Sequence, residues 1–280
     1  MNTPAIIGLT LNYRDAVRTV KCVRSLLEDG VPHVLVWDNS ADEGASAAAL
    51  RELLDGESHV SIEPSPANLG FAAGVNRGLA WIRARLPACW VLLINNDAVL
   101  LPGATVALAA ALGNTAQAVI AYPTVNHSGH PMGTAYYQRH LGLITFSPLP
   151  GSIPFASGCC QLLAPERLDG AWFDEDFFMY GEDVELSWRL GPTHMVHVPE
   201  VWVKHEGSVS SGMATMFYET QLVASHRKLA RKLARNRLEL ALLNVGRAFT
   251  LTLRALLRAW RYRSLAPIKS LGSSFFCTEK

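Results

Sequence analysis

No stretch of 18 or more uncharged apolar residues occurs in the 280-residue chain, so a helix crossing a membrane is not expected. The start, MNTPAIIGLTL, has no basic segment, and Asn12-Tyr13-Arg14-Asp15 ends its apolar run at once. A secretory leader is therefore not expected either. The five cysteines (Cys22, Cys89, Cys159, Cys160, Cys277) are odd in number and show neither a disulfide framework nor a zinc-knuckle spacing. They read as reduced, mostly buried thiols, and the expected compartment is the cytoplasm. Internal repeats and low-complexity tracts are missing, which excludes solenoids, propellers and disordered tails. Two phosphate-binding loops are also missing: there is no G-x-x-x-x-G-K-[ST], and no G-x-G-x-x-G follows the first apolar run.

What is present is a chain that is 49% hydrophobic, enough for a sizeable core. Its net charge of +1 hides a division. Residues 1–226 hold 12 Lys and Arg against 22 Asp and Glu, whereas residues 227–280 hold 13 against 2. An acidic body carries a basic tail.

The body alternates. AIIGLTL (5–11), HVLVW (33–37), HVSIE (59–63) and WVLLI (90–94) read as strands. Residues 15–29, 45–54, 71–85 and 103–112 read as helices, the first from Val17, Val20, Val23, Leu26 and Leu27 with Gly30 as its stop. Strands separated by helices indicate βαβ units, an α/β class and a mostly parallel central sheet flanked by helices. AVIAYP (118–123) reads as a further strand, 124–157 as Gly-, Pro-, Ser- and His-rich chain, and MVHVPEVWVKHEG (195–207) as a hairpin or two short strands. We divide the chain into a nucleotide-binding half (1–112), an acceptor and catalytic half of the same domain (113–210), and a helical extension (211–280).

In a parallel sheet, ligands bind beyond the carboxyl ends of the strands. Three polar clusters fall there: Thr10 and Asn12, Asp38-Asn39, and Asn95-Asn96-Asp97. Each alone reads equally as a turn; three at one edge suggest a site. With no phosphate loop, a carboxylate at the fourth strand end points to a diphosphate held through Mg²⁺ or Mn²⁺, which take oxygen ligands. A second acidic segment, FDEDFFMYGEDVELSW (173–188), mixes carboxylates with aromatics. Packing against an apolar wall raises carboxyl pKa values and suits a general base. The same acids also fit a helix N-terminus after Gly181.

Six motifs occur in one order: Asn12 after the first strand, WDNSADEG (37–44), NLGFAAGVNRG (68–78), LLINNDAVL (92–100), GAWFDEDFFMYGEDVELSWRL (170–190) and His205-Glu206-Gly207-Ser208. Together they resemble the family 2 glycosyltransferases, most closely the rhamnosyltransferase-like branch that builds bacterial cell-surface polysaccharides. The resemblance covers roughly residues 5–210. It implies the GT-A fold and an inverting displacement on a nucleotide-sugar donor (dTDP-, UDP- or GDP-linked), with a glycan or lipid-linked hydroxyl as acceptor. It implies that Thr10, Asn12, Asp38, Asn68, Asn76 and Asn96 serve the nucleotide, with Asp38 on its pyrimidine. Asp97 and His205 are implied for the metal, and Asp183 as the base. Glu182, Trp172 and Gly158 would support the acceptor side. The family often has Asp-x-Asp at the metal motif; here its first member is Asn95, leaving Asp97 as the one firm carboxylate. The family also often has Asp where this chain has Glu185. A non-catalytic nucleotide-sugar-binding or scaffolding protein at the membrane is the rival reading, favoured by Asn95 and opposed by Glu182-Asp183.

Gly70, Gly74 and Gly78 recur every four residues. They suit close packing of a helix on the sheet, or contact with phosphate. In the tail, Arg247, Arg254, Arg258 and Arg261 share one helix face, and Leu238, Leu242, Val245, Phe249, Leu253, Leu256 and Trp260 share the opposite one. Arg227, Arg231 and Arg235 form an earlier basic row. Residues 227–263 resemble a basic helix lying on an anionic membrane, which would place the chain peripherally on the inner face of the cell membrane. Alternatively the apolar side packs on the body and the arginines meet water. Nucleic acid is not expected as a partner, because the body is acidic. Self-association into a homo-oligomer is left open.

Overall fold

A computed structural model describes residues 4–86, 88–205 and 215–273. Strands β1 (Ala5–Asn12), β2 (His33–Asp38), β3 (Val60–Pro64) and β4 (Cys89–Ile94) alternate with helices α1 (Ala16–Glu28), α2 (Ala45–Leu53) and α3 (Gly70–Arg85). Next come β5 (Ala98–Leu100), α4 (Ala104–Asn114), β6 (Ile120–His127), and the short strands β7 (His130–Met132), β8 (Ala135–Gln138), β9 (Leu143–Thr145) and β10 (Ser152–Phe155). The chain continues through β11 (Cys160–Leu163), α5 (Glu182–Leu190), β12 (Met195–His205), α6 (Met216–Leu233), α7 (Arg237–Tyr262) and α8 (Ala266–Ser273).

The main sheet has the order β3-β2-β1-β4-β11-β6-β12-β5, with β7 paired to β6. Six of its nine strands run the same way; β11, β5 and β7 run against them. Alternation explains the two-sided core. Ile6, Val34, Val36, Leu92 and Ile94 face α1 and α4, while Ile7, Leu9, Leu35, Val91 and Leu93 face α3. All six residues of β4 are buried, as a strand covered on both faces requires. Each fully buried Leu, Ile or Val contributes about 1.5–3 kcal/mol. The sheet runs without a break across residue 112, so the two halves share one core.

Close approach of α3 to the sheet depends on its glycines. A Cβ on Gly78 would lie 2.6 Å from Leu9 Cδ1, and one on Gly74 would lie 2.7 Å from Leu11 Cδ2. These two positions follow the packing alternative.

Two expectations are corrected. Residues 195–205 form one strand rather than a hairpin or a pair. β12 lies parallel to β6 throughout, with register shifts between Val198 and Val203. Pro199 has no N–H to give the ladder, so the chain bulges there instead of turning. Glu206, Gly207 and Ser208 of the proposed motif lie outside the described residues, as does Cys277.

The second correction concerns α7. Its arginine face is turned inward. Arg247 is 2% exposed, and its guanidinium donates to Tyr137 Oη (3.2 Å) on β8 and to Leu243 O (3.2 Å). Arg258 donates twice to Glu219 Oε1 on α6, at 2.6 and 2.8 Å, and Glu219 is itself buried. The apolar row faces outward: Leu238, Val245 and Phe249 are 72%, 70% and 68% exposed, and Trp260 is 83% exposed. The hydroxyl of Tyr137 and the carboxylate of Glu219 accept from guanidinium groups that would otherwise be costlier to bury, although Arg247 Nε has no partner among the described residues.

Candidate active site

The carboxyl ends of β1 and β4, the far ends of β6 and β12, and the start of α5 surround a cavity of about 450 Å³. Its wall includes Asn12, Asn68, Asn96, Asp97, Gly158, Glu182, Asp183 and His205.

At the β1–β2 end the polar side chains bond to one another. Asn12 Nδ2 donates to Asp38 Oδ1 (2.8 Å), while Asn12 Oδ1 accepts from Thr19 Oγ1 (2.8 Å). Thr19 Oγ1 in turn accepts from Asn96 Nδ2 (3.0 Å). The three clusters at the sheet edge thus form one network, and α1 contributes Thr19 to it. Asp38 is 2% exposed, its Oδ1 also held by the backbone N–H and the hydroxyl of Ser40. It stands behind the wall, next to Asn39, which does line the cavity. Asn39 ties the loop before α3, donating to Gly70 O at 2.7 Å, and Asn68 Oδ1 accepts from Gly70 N at 3.0 Å.

Besides Asp38, three expected residues do not reach the cavity. Thr10 is fully buried against Cys22. Asn76 spends both ends of its amide on the backbone of Phe173, at 2.8 and 3.1 Å, so it fastens α3 to the segment leading into α5. Trp172 is a core side chain whose carbonyl accepts from Arg189.

Asp97 sits in the turn between β4 and β5, 8% exposed. The last residue of β12, His205, brings Nε2 to 3.0 Å from Asp97 Oδ1. Its Nδ1 lies 3.0 Å from Nδ1 of His127, the last residue of β6 and its register partner. Among the described residues no three His, Cys, Asp or Glu side chains gather as a closed metal cage. Two donors 3.0 Å apart nevertheless match adjacent corners of an octahedron with bonds of about 2.1 Å. The chemistry and spacing of the pair would fit a divalent ion.

Across the cavity, Gly181 takes a left-handed φ of 90° and starts α5 at Glu182. Asp183 accepts from the backbone N–H of Gly158 (3.1 Å) and from its neighbour Val184 (2.8 Å). Glu182 is buried, and its Oε2 has no hydrogen-bond partner among the described residues. Burial, then the charge of Asp183, pushes the Glu182 carboxyl up to about 8. Burial also raises Asp183, opposed by the Gly158 and Val184 N–H groups. Glu182, raised by burial and by the charge of Asp183, holds its proton, and Asp183, with N–H donors from Gly158 and Val184, carries the charge.

The far wall is apolar, with Phe71, Phe178, Phe217, Ile144 and Phe146. Phe178 meets Phe217 of α6 edge to face, ring centres 5.9 Å apart. His127, Ile144, Phe146 and Phe217 were not expected at the site. A lone His at the end of an apolar run was the only signal for the first. The others sit on short strands or a helix whose pattern names no ligand.

The match to known proteins follows this geometry. Residues 9–168, more than half of the chain, match the model described as glycosyl transferase family 2. The chain belongs to that family. It is a glycosyltransferase, which removes the non-catalytic rival. It is 28% identical over 226 residues, covering 67% of this chain and 71% of the relative, to the N-acetylglucosaminyl-diphospho-decaprenol L-rhamnosyltransferase of Mycobacterium tuberculosis. Solved structures agree on the GT-A fold. The mannosyltransferase PcManGT of Pyrobaculum calidifontis, in complex with GDP-Man and Mn²⁺, superposes with a TM-score of 0.55 at 13% identity, over 100% of this chain and 77% of that one. S. aureus TarS residues 1–349 give 0.54 at 14%, over 92% and 72%.

Proposed function

We propose that this glycosyltransferase moves L-rhamnose from a nucleoside-diphosphate donor to a hydroxyl of an N-acetylglucosamine carried on a lipid diphosphate. The observation that carries the reading is the pairing, across one cavity, of Asp183 with the Asp97–His205 pair. The relative from M. tuberculosis supports the sugar and acceptor, and the wall of Phe71, Phe178, Phe217, Ile144 and Phe146 suits an acceptor with an apolar portion.

In this reading the donor lies along the β1–β4 edge, its nucleotide near Asn12, Asn39 and Asn68, with Asp38 holding that edge in place. Asp97 and His205 would hold a Mg²⁺ or Mn²⁺ ion on the diphosphate. When bound, the ion supplies positive charge against the charge that grows on the leaving group. The acceptor oxygen attacks the anomeric carbon from the side opposite the diphosphate. Its proton passes to the Asp183 carboxylate as the C–O bond forms. The bond from the anomeric carbon to the diphosphate breaks with its electron pair on the nucleoside diphosphate, and the configuration inverts. The two N–H groups on Asp183 fix the base in position, and Glu182, protonated, leaves the negative charge on Asp183.

The test is transfer from dTDP-, UDP- and GDP-linked sugars to a short-chain prenyl-diphosphate N-acetylglucosamine, with product mass and anomeric configuration read out. Rhamnosyl transfer with inversion is expected. Transfer of another sugar, or retention, would overturn the substrate or the mechanism respectively.

A further inference from the structure

The outward face of α7 is the feature that the transfer reaction leaves unused. Over the 26 residues Arg237–Tyr262 the helix is long and apolar enough to cross a bilayer by length and composition. It does not do so in this fold, because its inner face is bonded to the body through Arg247 and Arg258. Part of its outer surface is a continuous apolar row. Leu238, Leu242, Val245, Phe249, Leu253, Leu256 and Trp260 all fall within an arc of roughly 80° at 100° per residue, and every one of them is exposed.

We infer that α7 lies in the surface of an anionic membrane with this apolar arc in the acyl chains. Three observations favour lipid over a second protein copy. Exposed cations flank the arc in sequence at both ends, Arg235 and Arg237 before it and Arg261, Arg263 and Lys269 after it, a charge complementary to anionic headgroups. The arc ends on Trp260, the residue type that settles at the interface of water and lipid. Beyond it the apolar surface continues with Leu265 and Ile268, 63% and 39% exposed. The helix also touches the segment that borders the cavity: Thr250 Oγ1 donates to Leu141 O (2.7 Å), and the chain then runs on to Ile144 and Phe146 in the cavity wall. Membrane and cavity are therefore joined by a few residues of one hairpin.

The polarity of this docking is opposite to that of a basic helix lying on its arginines. Arg247 and Arg258 are structural and unavailable to phosphate, so the apolar arc supplies most of the binding and the flanking cations add to it.

The experiment is vesicle flotation of the full chain, without donor or acceptor, on phosphatidylcholine vesicles with and without phosphatidylglycerol, at low and high salt. Wild-type protein is expected to float with both, more with the anionic vesicles, and to stay bound to neutral vesicles at high salt. F249E/L253E should lose roughly tenfold or more of the partitioning. Transfer to a water-soluble acceptor analogue should be unchanged, which shows the variant is folded and separates this test from the fate of the proposed reaction. Emission from Trp260, taken as the difference between wild type and Trp260→Phe, should shift to the blue on binding. Wild-type protein that stays at the bottom, or a variant that floats equally well, would overturn the inference. So would complete release by salt, or a solution dimer that F249E/L253E dissociates without any vesicle binding.

Discussion

His127 and His205 end two neighbouring parallel strands, 78 residues apart in sequence, with their Nδ1 atoms 3.0 Å apart. One ring must donate and the other accept. Burial, then the neighbouring His205, holds the His127 imidazole below its ordinary range, with Asp97 opposing. A neutral His127 can accept from His205 Nδ1–H and so turn Nε2 of His205, as a bare lone pair, toward the ion that Asp97 would share. His127→Ala should raise the Mn²⁺ concentration at half-saturation by about 10–100-fold. A Mn²⁺ titration of donor binding measures it, and an unchanged midpoint would remove His127 from this role.

Asp183→Asn keeps the shape of the side chain and one of its two accepted hydrogen bonds but cannot take a proton. Turnover should fall by about 10²–10⁴-fold. Donor affinity by calorimetry should be nearly unchanged, since the base faces the acceptor. Near-wild-type turnover would mean that another group takes the proton.

Glu182 makes folding pH-dependent in a definite direction. The folded chain keeps its proton up to about pH 8, whereas the unfolded chain releases it near 4.5. The folded state therefore binds more protons across that window, and stability declines as pH rises through it. The unfolding midpoint of the wild type should drop by roughly 5 °C or more between pH 5 and pH 9. In Glu182→Gln that slope should flatten. An equally steep slope in the variant would place the titration elsewhere.

Gly70 takes φ +76°, and a Cβ there would lie 2.2 Å from the Phe178 carbonyl oxygen. That oxygen also accepts from Phe71 N at 2.6 Å. Alanine meets both a disfavoured backbone region and a rigid neighbour. Gly70→Ala should cost about 3 kcal/mol, read from urea denaturation. It should also weaken donor binding, because Gly70 and Phe178 both border the cavity.

Arg258 and Arg261 look alike on a helical wheel but differ in surroundings. Removing Arg258 strands the buried Glu219 carboxylate, and Arg258→Ala should cost about 3 kcal/mol. Exposed Arg261→Ala should stay within about 0.5 kcal/mol. Equal effects would contradict the inward turn of α7.

Strands β1, β2 and β4 are legible in sequence as short apolar runs, buried along most of their length, and α1 is legible from the 3.6-residue spacing of its buried face. The cavity edge is legible for a similar reason: Asn12, Asp38 and Asp97 interrupt apolar runs where strands end. Strands β7 to β10 are not, because three or four residues carry no period. The facing of α7 is not legible either. A wheel gives the angle between two faces but not which one meets the body; that choice rests on Tyr137 and Glu219, 110 and 39 residues from their arginines. Asn76, expected near the nucleotide from its motif position, instead closes a backbone contact with Phe173.

The bulge in β12 also governs which changes in chain length the site tolerates. Between the pairs Val198–Pro123 and Val203–Val125, β12 uses more residues than β6 for the same advance, and the two strands then finish level at His205 and His127. The surplus acts as slack. An insertion or deletion next to Pro199 alters the loop of extra chain and leaves the phase of the last residues intact. The same change between Val203 and His205 has no slack to draw on, and with a two-residue side-chain period it turns His205 to the opposite face of the sheet, away from Asp97.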